Sequence, residues 1–272
     1  MPRGEEPCHP LFTQEGPGGC ALNSAFALAA LGAEIVLSGN PLGRDERAEK
    51  IFAHAHARGV TPQLTFVEGL RTAFCRCRVD QITGERDFVL SHEDIQRTEN
   101  ESFDEIVNAV NGGSYSHLFV QPYLREQCRM LLPRIQGARA WILAQDLKTD
   151  SIYLPWIDAL QVSLEDLEIP FRKEALEELG DLYFNDRLRE LFVTAGAEGV
   201  AYLKQGEPAQ IFPGHKAKEV VDTTGCGDAF RAGLMFGLAS GFEVAKAIQL
   251  GQELGAYKAQ IRGSCLAEPL KL

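Results

Sequence analysis

The sequence predicts an α/β protein with a doubly wound, mainly parallel sheet, helices on both of its faces, and a small antiparallel β flap. Three observations lead there. The apolar period switches repeatedly between two and 3.6 along the chain. The alternation of strand and helix breaks in one stretch, roughly residues 61–90, which reads as successive strands. No repeat, low-complexity tract or Pro/Gly/Ser linker divides the 272 residues, so one domain over 1–272 is expected, with the flap as an appendage.

Taken in order, residues 33–38 (Ala-Glu-Ile-Val-Leu-Ser) read as a buried strand. Ala48, Ile51, Phe52 and Ala55 then fall at i, i+3, i+4 and i+7, one face of a helix that Gly59 terminates. In the flap, Ala73, Cys75, Cys77 and Val79 share one face and Phe74, Arg76 and Arg78 the other, around a turn near Thr83-Gly84; a half-exposed sheet is expected. A second helix carries Phe103, Ile106, Val107 and Val110 on one face and starts from a Ser102-x-x-Glu105 capping box. Short strands are expected at 117–121, 140–145, 159–162 and 190–194, between helical stretches.

A composition of 45% hydrophobic and 24% charged residues, with 26 Gly and 13 Pro, is that of a globular protein. Lys plus Arg number 27 against 38 Asp plus Glu, and the resulting net charge of -11 argues against a nucleic-acid partner while leaving room for a local anion site. The longest apolar run, residues 25–31, falls short of the roughly 20 residues that cross a bilayer. No apolar stretch follows Met-Pro-Arg-Gly-Glu-Glu, so a cytoplasmic protein with no membrane partner is expected. Seven cysteines, without a CxxC pair, read as reduced thiols, and His54 and His56 are too close in sequence for a helical metal pair.

The segment richest in chemistry is Val220-Val221-Asp222-Thr223-Thr224-Gly225-Cys226-Gly227-Asp228-Ala229-Phe230, which runs into Arg231-Ala232-Gly233. A tight glycine turn opening a helix of small residues presents backbone N–H groups at the positive end of the macrodipole, an anion hole. Asp228 falls in the first helical turn beside it, placed to take the proton of a hydroxyl that attacks a bound phosphate. An isolated Gly-x-Gly-Asp serves equally well as a turn whose Asp caps the helix.

The whole stretch resembles the Asp-Thr-x-Gly-Ala-Gly-Asp signature of the ribokinase (phosphofructokinase-B) family of carbohydrate kinases, with Cys226 in the usual alanine position. The resemblance implies a ribokinase-like fold and an ATP-dependent kinase. It makes Asp228 the catalytic base and gives Gly225, Cys226 and Gly227 to the anion hole. Gly18-Gly19-Cys20-Ala21-Leu22-Asn23 looks like the family's Gly-Gly-x-x-x-Asn stretch at the acceptor, which assigns Gly18, Gly19 and Asn23 to substrate binding; taken alone it is a turn with a cap. Gly39-Asn40-Pro41-Leu42-Gly43-Arg44-Asp45 is similar to the family's Gly-x-x-x-Gly-x-Asp loop and reads as a structural turn. In Leu191-Phe192-Val193-Thr194-Ala195-Gly196-Ala197-Glu198-Gly199, the family's Thr-x-Gly-x-x-Gly element assigns Thr194, Gly196 and Gly199 to the nucleotide, against a plain hairpin turn. By the same resemblance Asp222 and Thr224 hold a monovalent cation, K+, and ATP brings Mg2+.

Three departures stand out. Relatives open with a strand whose Asp grips sugar hydroxyls, whereas only 17 Pro/Gly-rich residues precede Gly18 here, for which a late-chosen start codon is the expected reason. The family's Asn-x-x-Glu element is replaced by Ser163-Leu164-Glu165-Asp166, so Asp166 and Glu165 become the candidates for water-mediated Mg2+, with a Ser163 helix cap as the alternative. Gln145-Asp146-Leu147-Lys148 stands in place of Asp-x-Asn-x-Arg. The expected activity is γ-phosphoryl transfer from ATP to a hydroxyl of a sugar or sugar derivative. Its rivals are a nucleoside kinase of the adenosine type and a degenerate member that binds without turnover. A homodimer is expected to form through the flap strands.

Overall fold

In the computed structural model of the chain, the described residues are 15–79, 86–91, 103–121, 129–144, 153–167 and 169–266. The flap turn at Thr83-Gly84, the Ser102 cap and the 145–148 segment lie outside them. The chain begins with α1 (Cys20–Ala30), β1 (Ile35–Ser38), α2 (Glu46–Ala57) and β2 (Val60–Gln63), followed by the ribbon of β3 (Cys75–Val79) and β4 (Arg86–Leu90). Then come α3 (Asp104–Asn111), β5 (His117–Val120), β6 (Arg139–Ala144), β7 (Ala159–Ser163), α4 (Lys173–Tyr183), β8 (Glu190–Thr194), β9 (Gly199–Lys204) and β10 (Gln210–Pro213). Two helices close the order, α5 (Cys226–Ala239) and α6 (Val244–Lys258).

The main sheet has the order β10-β9-β8-β7-β6-β5. Strands β5 to β8 are parallel, and β9 and β10 continue the sheet antiparallel. Strands β7 and β8 are apolar throughout most of their length because both faces are covered, as parallel strands require. Leu160, Val162, Leu191 and Val193 point to one face, against Leu176, Leu179 and Tyr183 of α4. Ala159 and Phe192 point to the other, against Phe230, Leu234 and Met235 of α5 and Ala247 and Ile248 of α6. Each such side chain taken fully out of water contributes roughly 1.5–3 kcal/mol, so this two-faced core anchors the strands that lead to the site.

Local capping fixes the first layer. Asp45 caps α2 by accepting the Ala48 N–H at 3.0 Å, and its second oxygen accepts the Thr72 N–H at 2.7 Å, pinning the approach to β3. Burial works upward on this carboxyl, but the two N–H bonds and the Thr72 hydroxyl hold its pKa below the usual value. Gly43 lies so close to Leu70 that a Cβ would stand 2.1 Å from the Leu70 carbonyl oxygen, so the 39–45 stretch is the expected structural turn.

Several expectations need correction. Residues 61–63 do not belong to the antiparallel flap; β2 pairs in parallel with β1, Ile35 opposite Val60. The flap reduces to β3 and β4, Cys75 opposite Leu90, and its residues 73–77 are exposed on both faces instead of one. The cap position of α3 is held by Phe103, and among the described residues no side chain caps the helix. The helix expected after Ser163 is only a three-residue 3-10 turn, Leu164–Asp166, with no side-chain cap bond.

Helices α5 and α6 meet along a seam of small residues. A Cβ on Gly233 would lie 2.8 Å from the Gly251 Cα, and one on Gly237 would lie 2.9 Å from the Ala247 Cα. The seam has no room for a branched side chain. Gly233→Val is expected to lower unfolding free energy by about 1–3 kcal/mol or more in urea titrations, whereas Gly39→Ala, facing open space, shifts it by less than about 0.5 kcal/mol.

Candidate active site

The packing partners of α5 fix its direction. Leu234 and Met235 lie over Ala159 at the start of β7, while Arg231, one turn earlier, reaches Gln161 two residues further along that strand. The N-terminus of α5 therefore points toward the carboxyl ends of β7 and β8, where Ser163 and Thr194 stand side by side. Ligands of open α/β sheets bind at that end.

Gly225 occupies the cap of α5 with φ 82°, the left-handed region, and a Cβ there would stand 2.1 Å from the Ser264 carbonyl oxygen. Both its dihedral and its neighbour exclude a side chain. Gly227, two residues on, is exposed and would place a Cβ with nothing within 4 Å. The turn is thus packed on one side and open on the other. The Cys226 N–H is turned back on the Thr223 carbonyl at 3.2 Å. An α-helix also leaves its other first-turn donors, here Gly227 and Asp228, without helical acceptors.

Asp228 is buried at 7% exposure, and both of its carboxylate oxygens are held. Arg231 Nη1 donates to Oδ1 at 3.1 Å and Asn23 Nδ2 donates to Oδ2 at 2.7 Å. Arg231 is itself 1% exposed: its Nε donates to Gln161 Oε1 at 2.9 Å, its Nη1 also donates to Ser24 Oγ at 2.8 Å, and its guanidinium lies 4.3 Å from the centre of the Phe119 ring. Ser24 in turn donates to the Asp228 carbonyl at 3.2 Å. Two thiols complete the shell. Burial, and next the charge of Asp228, pushes the Cys20 thiol up to about 12, so it stays neutral beside the carboxylate. Cys265 Sγ donates to Asn23 Oδ1 at 3.0 Å and to the Pro17 carbonyl at 3.3 Å.

The strand side of the turn is tied to the end of α6. Val221 and Asp222 N–H groups both donate to the Ala259 carbonyl, at 2.8 and 3.0 Å. The Asp222 carboxylate accepts the Thr224 N–H and the Gly263 N–H, each at 2.9 Å. Burial raises the pKa of this carboxyl, but the bonds from Thr224 and Gly263 and the charge of Lys258 outweigh it and hold the value low. Lys258, fully buried, donates to the Asp222 carbonyl at 3.2 Å and to the Ile261 carbonyl at 2.8 Å.

The sequence profile of the pfkB family carbohydrate kinases matches residues 5–271. The chain belongs to that family. A ribokinase of Lactococcus lactis is 28% identical over 242 residues, covering 86% of this carbohydrate kinase and 76% of its own length. The structure of Arabidopsis thaliana ribokinase complexed with ribose and ATP aligns with a TM-score of 0.81 at 19% identity, over 99% of this chain and 89% of that one. The adenosine kinase from Sinorhizobium meliloti aligns with a TM-score of 0.74 at 21% identity, over 93% and 80%. The last two establish the fold. Among the described residues no helix is long and apolar enough to cross a membrane.

In this carbohydrate kinase the residues singled out from sequence only partly come together. Gly225, Cys226, Gly227, Asp228 and Asn23 converge, and Gly18 joins them through Ser264, whose Oγ would lie 3.6 Å from a Cβ at residue 18. Gly19 caps α1 with φ 102° and opens to solvent. Asn23 has one amide N–H on Asp228 and its side-chain oxygen on the Cys265 thiol. Thr194 and Gly196 lie at the carboxyl end of β8, the Thr194 hydroxyl donating to the Val162 carbonyl at 3.3 Å and Gly196 exposed with φ 54°. Gly199 does not share that exposure: it is buried with φ 127°, and a Cβ would stand 2.0 Å from the Phe212 carbonyl oxygen, so it shapes the β8–β9 hairpin instead of facing a nucleotide. Glu165 is exposed after β7, and the side chain of Asp166 lies outside the described residues. A cleft of about 440 Å³ beside Phe212, His215, Lys246 and Gln249 holds none of these residues.

Ser24, Gln161, Arg231 and Lys258 escaped the sequence reading. One signal was available for Arg231: a charged residue three positions after Asp228, inside an otherwise apolar helix, is buried only when paired. Arg231→Met is expected to destabilise the protein by about 3–5 kcal/mol in denaturant titrations, because it strands the Asp228 carboxylate. The half-exposed Arg187–Asp158 pair, at 3.1 Å, is the control, with Arg187→Ala expected to cost no more than about 1 kcal/mol.

Proposed function

We propose that this carbohydrate kinase transfers the γ-phosphoryl group of ATP to a hydroxyl of a small sugar or sugar derivative, with Asp228 as the general base. The observation that carries the reading is a carboxylate fixed by Arg231 and Asn23 in the first turn of a helix whose glycine turn is open on its outer side. Asp228 takes the proton of the acceptor hydroxyl as its oxygen attacks the γ-phosphorus. The bond from phosphorus to the bridging oxygen breaks in line, and ADP leaves with that electron pair. The amides of Gly225 and Gly227 and the dipole of α5 stabilise the charge on the transferring group, with Cys226 shaping the turn between them through its bond to Thr223.

Thr194 and Gly196, at the same end of the sheet, are assigned to the nucleotide, and Gly18 and Gly19 to the acceptor, where backbone without side chains allows close approach. Among the described residues no three His, Cys, Asp or Glu side chains converge on a metal position. Magnesium would therefore arrive on the phosphates of ATP, whose charge it neutralises, with the exposed Glu165 and its neighbour Asp166 suited to holding it through water.

Coupled ADP detection over a panel of sugars, sugar acids, amino sugars and nucleosides tests the reading and separates a sugar acceptor from a nucleoside. Asp228→Asn is expected to lower kcat by about 10²–10⁴ while ATP binding persists. Unchanged turnover in that variant ends the assignment of the base, and binding without turnover of any acceptor would favour a degenerate member of the family. The homodimer contact is assigned to the β3–β4 ribbon, where Phe74 and Val89 are 40% and 45% exposed. Sedimentation of the chain as a monomer at assay concentration would remove it.

A further inference from the structure

We propose that Lys258 is a tethered cation, its ammonium bound to Asp222, one of the two residues to which the family resemblance gives a monovalent ion, so that this chain holds its anion hole together without potassium. The inference deepens the proposed kinase reading, since the hole it braces is the one assigned to the transferring phosphoryl group.

At Asp222 the donors that a potassium ion would use already have partners. Backbone carbonyl oxygens are the ligands that replace the hydration shell of that ion. The two carbonyls that converge here, Asp222 and Ile261, both accept from Lys258 Nζ, at 3.2 and 2.8 Å. They belong to the loop before α5 and the loop after α6, so the ammonium ties its own loop to one that lies 36 residues before it in the chain. The Asp222 carboxylate, the expected anionic ligand, is turned instead to the N–H groups of Thr224 and Gly263. A second cation on the same two carbonyls would meet a like charge in a desolvated place.

Burying an ammonium completely is costly unless something compensates. Burial lowers the pKa of Lys258, and the charges of Cys226 and Asp222 foremost among its neighbours oppose that shift. The geometric return is specific. Asp222 lies three residues before Gly225, and Gly225 touches the Ser264 carbonyl, so fixing the Asp222 and Ile261 carbonyls fixes both walls of the glycine turn. Lys258 is thereby a positioning residue, acting on the phosphate through the turn it braces.

The test starts with the wild-type chain in buffer whose only monovalent cation is tetramethylammonium, and replaces that ion by potassium at equal ionic strength. ATP affinity and turnover are each expected to change by less than about twofold, and a larger potassium-specific rise in either overturns the proposal. Lys258→Met keeps the apolar stem and removes the charge. In tetramethylammonium it is expected to lose about tenfold or more in ATP affinity or kcat/KM, and to regain most of the loss with potassium, ammonium or methylammonium. A variant that unfolds cooperatively yet is restored by none of the three ions overturns the proposal, because a purely structural lysine predicts no such rescue. If Lys258→Met does not fold, the wild-type measurement decides alone. Failure of the kinase reading is distinguishable, since it abolishes turnover with every acceptor and leaves the ion dependence of ATP affinity still measurable.

Discussion

The requirement that a carboxylate be buried and yet charged at the head of α5 governs the organisation of this protein. A buried anion needs an equally buried cation and a full set of hydrogen bonds, or it will not stay ionised in that place. Arg231 answers the first need, but a buried guanidinium has its own. Gln161 from the sheet, Ser24 from α1 and the face of Phe119 from β5 meet them. One acidic side chain thus commits three distant segments of sequence to a common geometry, and because such networks polarise one another, the members support each other beyond their pairwise contacts.

Small residues make that geometry reachable. Gly233, Gly237 and Gly251 let α5 and α6 approach until backbone meets backbone, which brings the loop after α6 up to the turn before α5. The two glycines of that turn then serve opposite purposes. At Gly225 the protein fills the space where a side chain would go, and at Gly227 it leaves the space empty. A pattern of sequence that looks uniform, Gly-Cys-Gly, therefore encodes an inner wall and an outer opening.

Much of this was legible in the amino-acid order, and what was not has a physical reason. Strands β7 and β8 announced themselves because they are covered on both faces and so read as short, mainly apolar runs, and the glycine turn did so because anion binding needs a particular spacing of N–H donors. Residues 61–63 were misassigned to the flap because alternation reports that a segment is extended but not which neighbour it pairs with; β1 is that neighbour. Asn23 was visible as a polar residue near glycines, yet its partner Asp228 lies 205 positions away, a distance over which local pattern carries no information. Lys258 ends α6, where the dipole favours a lysine in any case, so its position in the sequence carries no mark of burial. Its burial follows from the loop that folds over it. Gly199 resembled a ligand-facing glycine because a hairpin and a nucleotide turn demand the same freedom at φ > 0.

The ties among Ala259, Lys258, Gly263 and the residues on either side of Asp222 also bear on how the protein would move. A loop fastened at that many points has no hinge of its own. The β3–β4 ribbon is moored more lightly, with Cys75, Arg76, Cys77 and Val89 exposed and its base joined through Thr72 to Asp45 and through the ring of Phe74 to Arg47.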